Sequence, residues 1–131
     1  MPESLPTTIL IVDDDESIRN LLKLILESAG IQAICAANAN EALAALGDRE
    51  CHIHGILLDL NLNQLKGEDF YDDIVAIDPN IAIFPMSGCL SEEIQERFAN
   101  KRIAGLITKP FLPADIKRTI LEGLSRQSSE G

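Results

Sequence analysis

Five short apolar runs punctuate the chain: Thr8 to Val12, Gln32 to Ala36, Ile53 to Leu58, Ile81 to Met86 and Gly105 to Thr108. Between them the apolar positions repeat with helical spacing. Ile18, Leu21, Leu22, Ile25 and Leu26 fall at i, i+3, i+4, i+7 and i+8, and Gly30 stands where a C′ glycine ends such a helix. Asn38 with Glu41 three residues on forms a capping-box pattern that opens a second helix through Leu46. Phe70, Ile74 and Ile77 mark a third, stopped by Pro79, and Ser91 caps a fourth that ends near Asn100. Pro113 suits the first turn of a fifth, which carries Ile116, Ile120 and Leu124.

Strand and helix thus alternate five times. Near-continuous apolar strands alternating with amphipathic helices predict an α/β fold, a parallel sheet covered by helices on both faces. One domain is expected over residues 8–124. Residues 1–7 form an N-terminal tail, and the Ser/Gln-rich residues 125–131 a frayed tail or linker.

Composition narrows the class of partner. The 131 residues hold 46% apolar and 24% charged side chains, an ordinary globular balance. Lys and Arg number 11 against 21 Asp and Glu, for a net charge of −10. Nucleic acid and anionic membrane surfaces are therefore poor partners. Cys35, Cys51 and Cys89 are odd in number and widely spaced, without a C-x-x-C, which fits reduced thiols in a cytoplasmic protein. No secretory signal or run of about 20 apolar residues is present, so a cytoplasmic location is expected.

Chemistry gathers at the strand ends. In open α/β sheets, ligands bind outside the carboxyl ends of the strands. Asp13, Asp14 and Asp15 follow the first strand, Asp59 the third, Ser87 the fourth and Lys109 the fifth. Each alone has a bland reading as a helix cap or turn residue. Their shared edge favours one site. Two carboxylates about 4 Å apart near a surface repel by roughly 4 kcal/mol at an effective dielectric of 20, so converging acids call for a cation. Oxygen ligands without His or Cys favour a hard ion such as Mg²⁺. With a lysine and a hydroxyl alongside, that set is suited to phosphoryl transfer.

These residues resemble the receiver domain of two-component response regulators, a flavodoxin-like family. Ile9-Leu10-Ile11-Val12-Asp13-Asp14-Asp15 resembles its opening acidic pair, and Gly55-Ile56-Leu57-Leu58-Asp59-Leu60 its phosphoacceptor strand. Gly67 falls where a following glycine belongs, and Met86-Ser87-Gly88 and Thr108-Lys109-Pro110-Phe111 resemble the hydroxyl and lysine signatures. The resemblance implies a three-layer (βα)5 fold with sheet order 2-1-3-4-5. It makes Asp59 the phosphoacceptor, with Lys109 pairing first with Asp59 and then with the phosphoryl oxygens, and Ser87 turning toward them. Asp13, Asp14, Asp59 and the backbone carbonyl of Asn61 would hold Mg²⁺. The donor would be a phosphohistidine on a sensor kinase or histidine phosphotransfer protein, and the target a downstream protein of unknown identity. Such a chain catalyses its own phosphorylation and dephosphorylation and turns over no external substrate. The family's Lys-Pro bond is often cis, and homodimers through its fourth helix, fifth strand and fifth helix are a family habit.

Departures fall on the relay. Leu62-Asn63 replaces the usual Met-Pro, and Leu106 stands where an aromatic usually reports phosphorylation. By the same resemblance, Asn61 and Cys89 would flank the acceptor site and tune its hydrolysis rate. Pro85 removes a ladder donor inside the fourth run, with early termination of that strand as the expected consequence. Two other readings compete. A pseudo-receiver would keep the fold as an interaction module without phosphorylation, yet no acid or lysine of the set is missing. A haloacid-dehalogenase-like phosphatase would use Asp13-x-Asp15 as its nucleophile motif, but needs an acidic pair after the lysine, where only Asp115 follows. His52 and His54, beside Cys51, are read as solvated histidines rather than a metal pair. Glu68, Asp69, Asp72 and Asp73 are read as the wet face of the third helix.

Overall fold

The computed structural model describes residues 7–48, 52–60, 67–88, 96, 98 and 102–130. Its elements are β1 (Thr8–Val12), α1 (Glu16–Ser28), β2 (Gln32–Ala36), α2 (Ala39–Gly47) and β3 (Gly55–Asp59), then α3 (Gly67–Ile77), β4 (Ala82–Ser87), β5 (Ile107–Thr108) and α4 (Pro113–Glu130). The five strands form one sheet in the order β2-β1-β3-β4-β5, every neighbouring pair parallel. Side chains alternate across it. Leu10, Val12, Ile56 and Leu58 enter a cluster with Ala42, Phe70 and Ile74 from α2 and α3. Ile9, Ile11, Leu57 and Phe84 enter another with Leu22, Leu26, Ile116 and Ile120 from α1 and α4. The sheet is thus buried between two helical layers, which is why its strands read as unbroken apolar runs.

Local signals hold where local chemistry decides. Asp15 caps α1 by accepting from the Ser17 amide at 2.9 Å. The helix closes with Gly30 at φ 79°, its amide and that of Ile31 bonded to the Glu27 and Leu26 carbonyls. These are the two bonds of a Schellman ending, and the positive φ needs glycine. Asn38 accepts from the Glu41 amide at 2.9 Å, while the Glu41 carboxylate reaches one residue beyond the cap, to the Ala37 amide at 2.8 Å.

Tertiary packing corrects other expectations. Leu21 and Ile77, both on predicted apolar stripes, are 43% and 44% exposed. Tyr71 is buried instead, and Ile77, at the last turn of α3, lines a cavity beside Leu46, His52 and Asp78. The predicted C-terminal tail is helical through Glu130. The predicted fourth helix lies almost entirely outside the described residues, of which Glu96 is helical and Phe98 is buried.

Pro85 does not end β4, which continues to Ser87. Along β4 the even residues face β3: the Ala82 amide donates to the His54 carbonyl, and the Met86 carbonyl accepts from Leu60. The odd residues face β5, the Ile83 carbonyl accepting from Ala104 and the Ser87 carbonyl from Lys109, both at 2.8 Å. Pro85 therefore lacks its N–H on the β5 side, where after the single Ala104–Ile83 bond the ladder with β5 itself starts at Met86 with Ile107. The proline shortens its neighbour rather than its own strand.

Candidate functional site

The sheet order makes the ends of β1 and β3 adjacent, and their acids meet. Oxygen atoms of Asp13, Asp14 and Asp59 lie within 4.8 Å of one another. Asp13 and Asp59 are 1% and 3% exposed, whereas Asp14 faces solvent. From the loop after β5, the Lys109 ammonium reaches Asp59 Oδ1 at 3.3 Å and Asp13 Oδ2 at 3.7 Å. Ser87 is buried at the end of β4, in register with Thr108 and one residue past Met86, the partner of Asp59. The Lys109–Pro110 bond is cis.

The β1–α1 loop is held from within. Asp13 Oδ1 accepts from the Asp15 amide at 2.9 Å, and the Asp13 carbonyl accepts from the Arg19 guanidinium at 2.8 Å. Arg19 escapes a reading by motif, because its role depends on α1 turning it back over the loop. Asp13 Oδ2 is buried and has no hydrogen-bond partner among the described residues. Burial pushes the Asp13 carboxyl above its usual range, opposed by the Asp15 amide and reinforced by the neighbouring Asp59 charge. A buried carboxylate oxygen left without a donor, among two more carboxylates and one ammonium, suits a divalent cation.

The remaining candidates separate from this edge. Asn61, Leu62, Asn63, Cys89 and Cys51 lie outside the described residues, as does Ser91. Leu106 packs half-buried against the cluster on the α2 and α3 side. Asp72 and Asp73 face solvent on α3 as expected. Asp115 pairs with Arg118 at 2.9 Å on α4, so this geometry does not favour the phosphatase reading. His52 and His54 lie at the opposite, N-terminal edge of the sheet, their rings edge to face with centroids 4.6 Å apart. His54 Nδ1 accepts from the Thr8 amide at 3.1 Å, which places the proton of the neutral ring on Nε2. Neither nitrogen then offers a lone pair to a metal.

Fold and site together define a parallel α/β domain with an acidic cluster and a lysine at the C-terminal edge of its sheet, and comparison with known proteins makes the class specific. Residues 9–121 match the response regulator receiver domain family, and the chain belongs to it. It is 29% identical to the transcriptional regulatory protein FixJ of Azorhizobium caulinodans, with all of this chain and 60% of FixJ covered. It is 28% identical to the chemotaxis protein CheY of Thermotoga maritima, over 92% of this chain and 96% of that protein. The crystal structure of a CheY-like receiver domain protein from Methanospirillum hungatei superposes with a TM-score of 0.87 at 31% identity, covering 97% of this chain and 100% of that one. The chain thus spans less than two thirds of FixJ and nearly all of CheY. No helix among the described residues is long and apolar enough to cross a membrane.

Proposed function

We propose that this chain is a phosphorylatable receiver, in which Asp59 accepts a phosphoryl group from a phosphohistidine on a sensor kinase or histidine phosphotransfer protein. The observation that carries this reading is the convergence of Asp13, Asp14 and Asp59 within 4.8 Å, with Lys109 against Asp59. An Asp59 carboxylate oxygen attacks phosphorus, forming a P–O bond as the P–N bond breaks. The bonding pair returns to the imidazole nitrogen, leaving a neutral ring on the donor after proton exchange with solvent. The three acids suit Mg²⁺, to which the family resemblance adds the Asn61 carbonyl as a ligand; when bound, the ion would neutralise the acids and the phosphoryl oxygens. On this reading Lys109 supplies the remaining positive charge and follows the phosphoryl oxygens as they arrive. Ser87, at the neighbouring strand end, donates its hydroxyl to them. The internal bonds of the β1–α1 loop keep Asp13 in position before the donor docks.

On this reading the chain acts on its own carboxylate rather than on a succession of substrates. Its output passes to a downstream protein in the cytoplasm, with homodimerisation through the predicted fourth helix, β5 and the C-terminal helix α4 as the family's habit. Incubation with Mg²⁺ and a small-molecule phosphodonor, read by intact mass, tests the chemistry. One added phosphoryl group is expected, lost in Asp59→Asn and without Mg²⁺. Absence of any adduct, together with failure to bind beryllofluoride, would overturn the reading in favour of a pseudo-receiver.

A further inference from the structure

Tyr71 is the chain's one tyrosine, and the chain has no tryptophan. The side chain is buried on α3, edge-on to Phe98 with ring centroids 5.9 Å apart. Its hydroxyl donates to the Arg102 carbonyl at 2.7 Å and accepts from the Arg102 amide at 2.8 Å. One side chain thereby satisfies both main-chain groups of a residue that lies on no strand. Two residues later the Ala104 amide joins the sheet through the Ile83 carbonyl at 2.8 Å, and the chain runs on into β5 and Lys109. Tyr71 therefore fastens α3 to the segment that delivers the lysine.

This contact closes a loop. The chain from Asp59 to Tyr71 and the chain from Arg102 to Lys109 are joined at both ends. At one end Lys109 meets Asp59 at 3.3 Å, and at the other Tyr71 meets Arg102. A phosphoryl group on Asp59 would replace the direct ammonium–carboxylate contact with an ammonium–phosphoryl contact, lengthening that end. Two short hydrogen bonds at the other end tolerate little displacement before they weaken. A device that discriminates two states needs contacts that differ between them, and this pair is placed to differ.

Building on the phosphoacceptor reading, we infer that the Tyr71–Arg102 clasp is a latch of the unphosphorylated state, released when Asp59 is phosphorylated. Its release loosens Arg102 and Ile103 ahead of the Ala104–Ile83 bond, carrying the change from the acceptor toward the edge of the sheet.

The full chain with Mg²⁺ and beryllofluoride, a phosphoryl mimic, provides the test. Bound fluoride is read by ¹⁹F NMR, and the latch by intrinsic emission, which comes from Tyr71 alone. Emission is expected to rise as fluoride binds, because the phenol loses its carbonyl acceptor. Tyr71→Phe, with a melting curve to confirm folding, is expected to bind beryllofluoride about fivefold more tightly, the equivalent of one net hydrogen bond. Bound fluoride with unchanged emission would overturn the latch and leave the receiver reading standing. Equal or weaker binding by a folded Tyr71→Phe variant would do the same. No bound fluoride at all would overturn both.

Discussion

The two edges of the sheet carry polar clusters of opposite character. At the C-terminal edge, three carboxylates meet one ammonium, and Asp13 Oδ2 is buried without a hydrogen-bond partner among the described residues. At the N-terminal edge, His54 is held by the Thr8 amide and packs against His52. Buried polar groups ordinarily find partners inside the protein. The buried Asp13 oxygen has an ammonium at 3.7 Å and two carboxylates beside it, a crowding of negative charge that suits a cation from outside, whereas the His54 ring is held by a main-chain amide of the fold. Proximity of titratable groups alone does not separate the two, and the sign and crowding of their charges do.

The largest expected contrast is at Asp59. Asp59→Asn should abolish the phosphoryl adduct in intact-mass measurements, while His52→Asn at the other edge leaves it unchanged. A phosphorylated Asp59→Asn chain would erase the distinction between the edges. Next comes Lys109→Ala. Removing a charge placed for the transferring group should slow adduct formation by about 10²-fold, read as the rate at fixed phosphodonor and Mg²⁺. The reciprocal change is Gly55→Ala, at the start of β3. A Cβ there would meet Ile9 Cδ1 at 2.9 Å and the Ala82 carbonyl oxygen at 3.1 Å. Overpacking should cost about 1–3 kcal/mol in denaturant unfolding, with adduct formation by the folded fraction unaltered.

The smallest effects concern pH, and the edges should respond with opposite sign. Burial raises the Asp13 carboxyl, so the folded chain holds a proton that the unfolded chain releases, and stability falls as pH rises through that window. Burial, with His52 adding to it, lowers His54, whose stabilising contribution is present above its ordinary value and lost as pH falls through the lowered one. In thermal melts without divalent cation, Asp13→Asn should therefore remove a downward slope with rising pH across the weakly acid range. His54→Asn, which keeps an acceptor for Thr8, should remove an upward one. Matching slopes in the two variants would show that the edges do not differ electrostatically.

Much of the fold was legible because it is periodic. Thr8–Val12 and Gln32–Ala36 are strands over the same residues that the apolar runs mark, and Gly30 and Asn38 end and begin helices as their side chains dictate. The site was legible because parallel strands bring their carboxyl ends to one edge, so Asp13, Asp59, Ser87 and Lys109 needed only correct strand boundaries to be placed together. Boundaries failed where a neighbour decided them. The Pro85 pattern marked a lost donor without saying which side of β4 would lose it, and the answer shortened β5 instead. Leu21 and Ile77 fit their stripes in spacing, yet burial depends on what a partner element covers.

The sequence by itself determined the alternation of strands and helices, their caps and the identities of the site's acids, lysine and hydroxyl. These follow from periodicity and from side-chain chemistry acting within a few residues. Only the tertiary structure decided that Asp13 Oδ2 would be buried facing Lys109 at 3.7 Å, that Arg19 would hold the Asp13 carbonyl, and that Tyr71 would clasp Arg102 across 31 positions. The difference is one of range. A cap or a turn is fixed by neighbours along the chain, whereas the partners of a buried polar atom are fixed by which elements the folded sheet sets side by side.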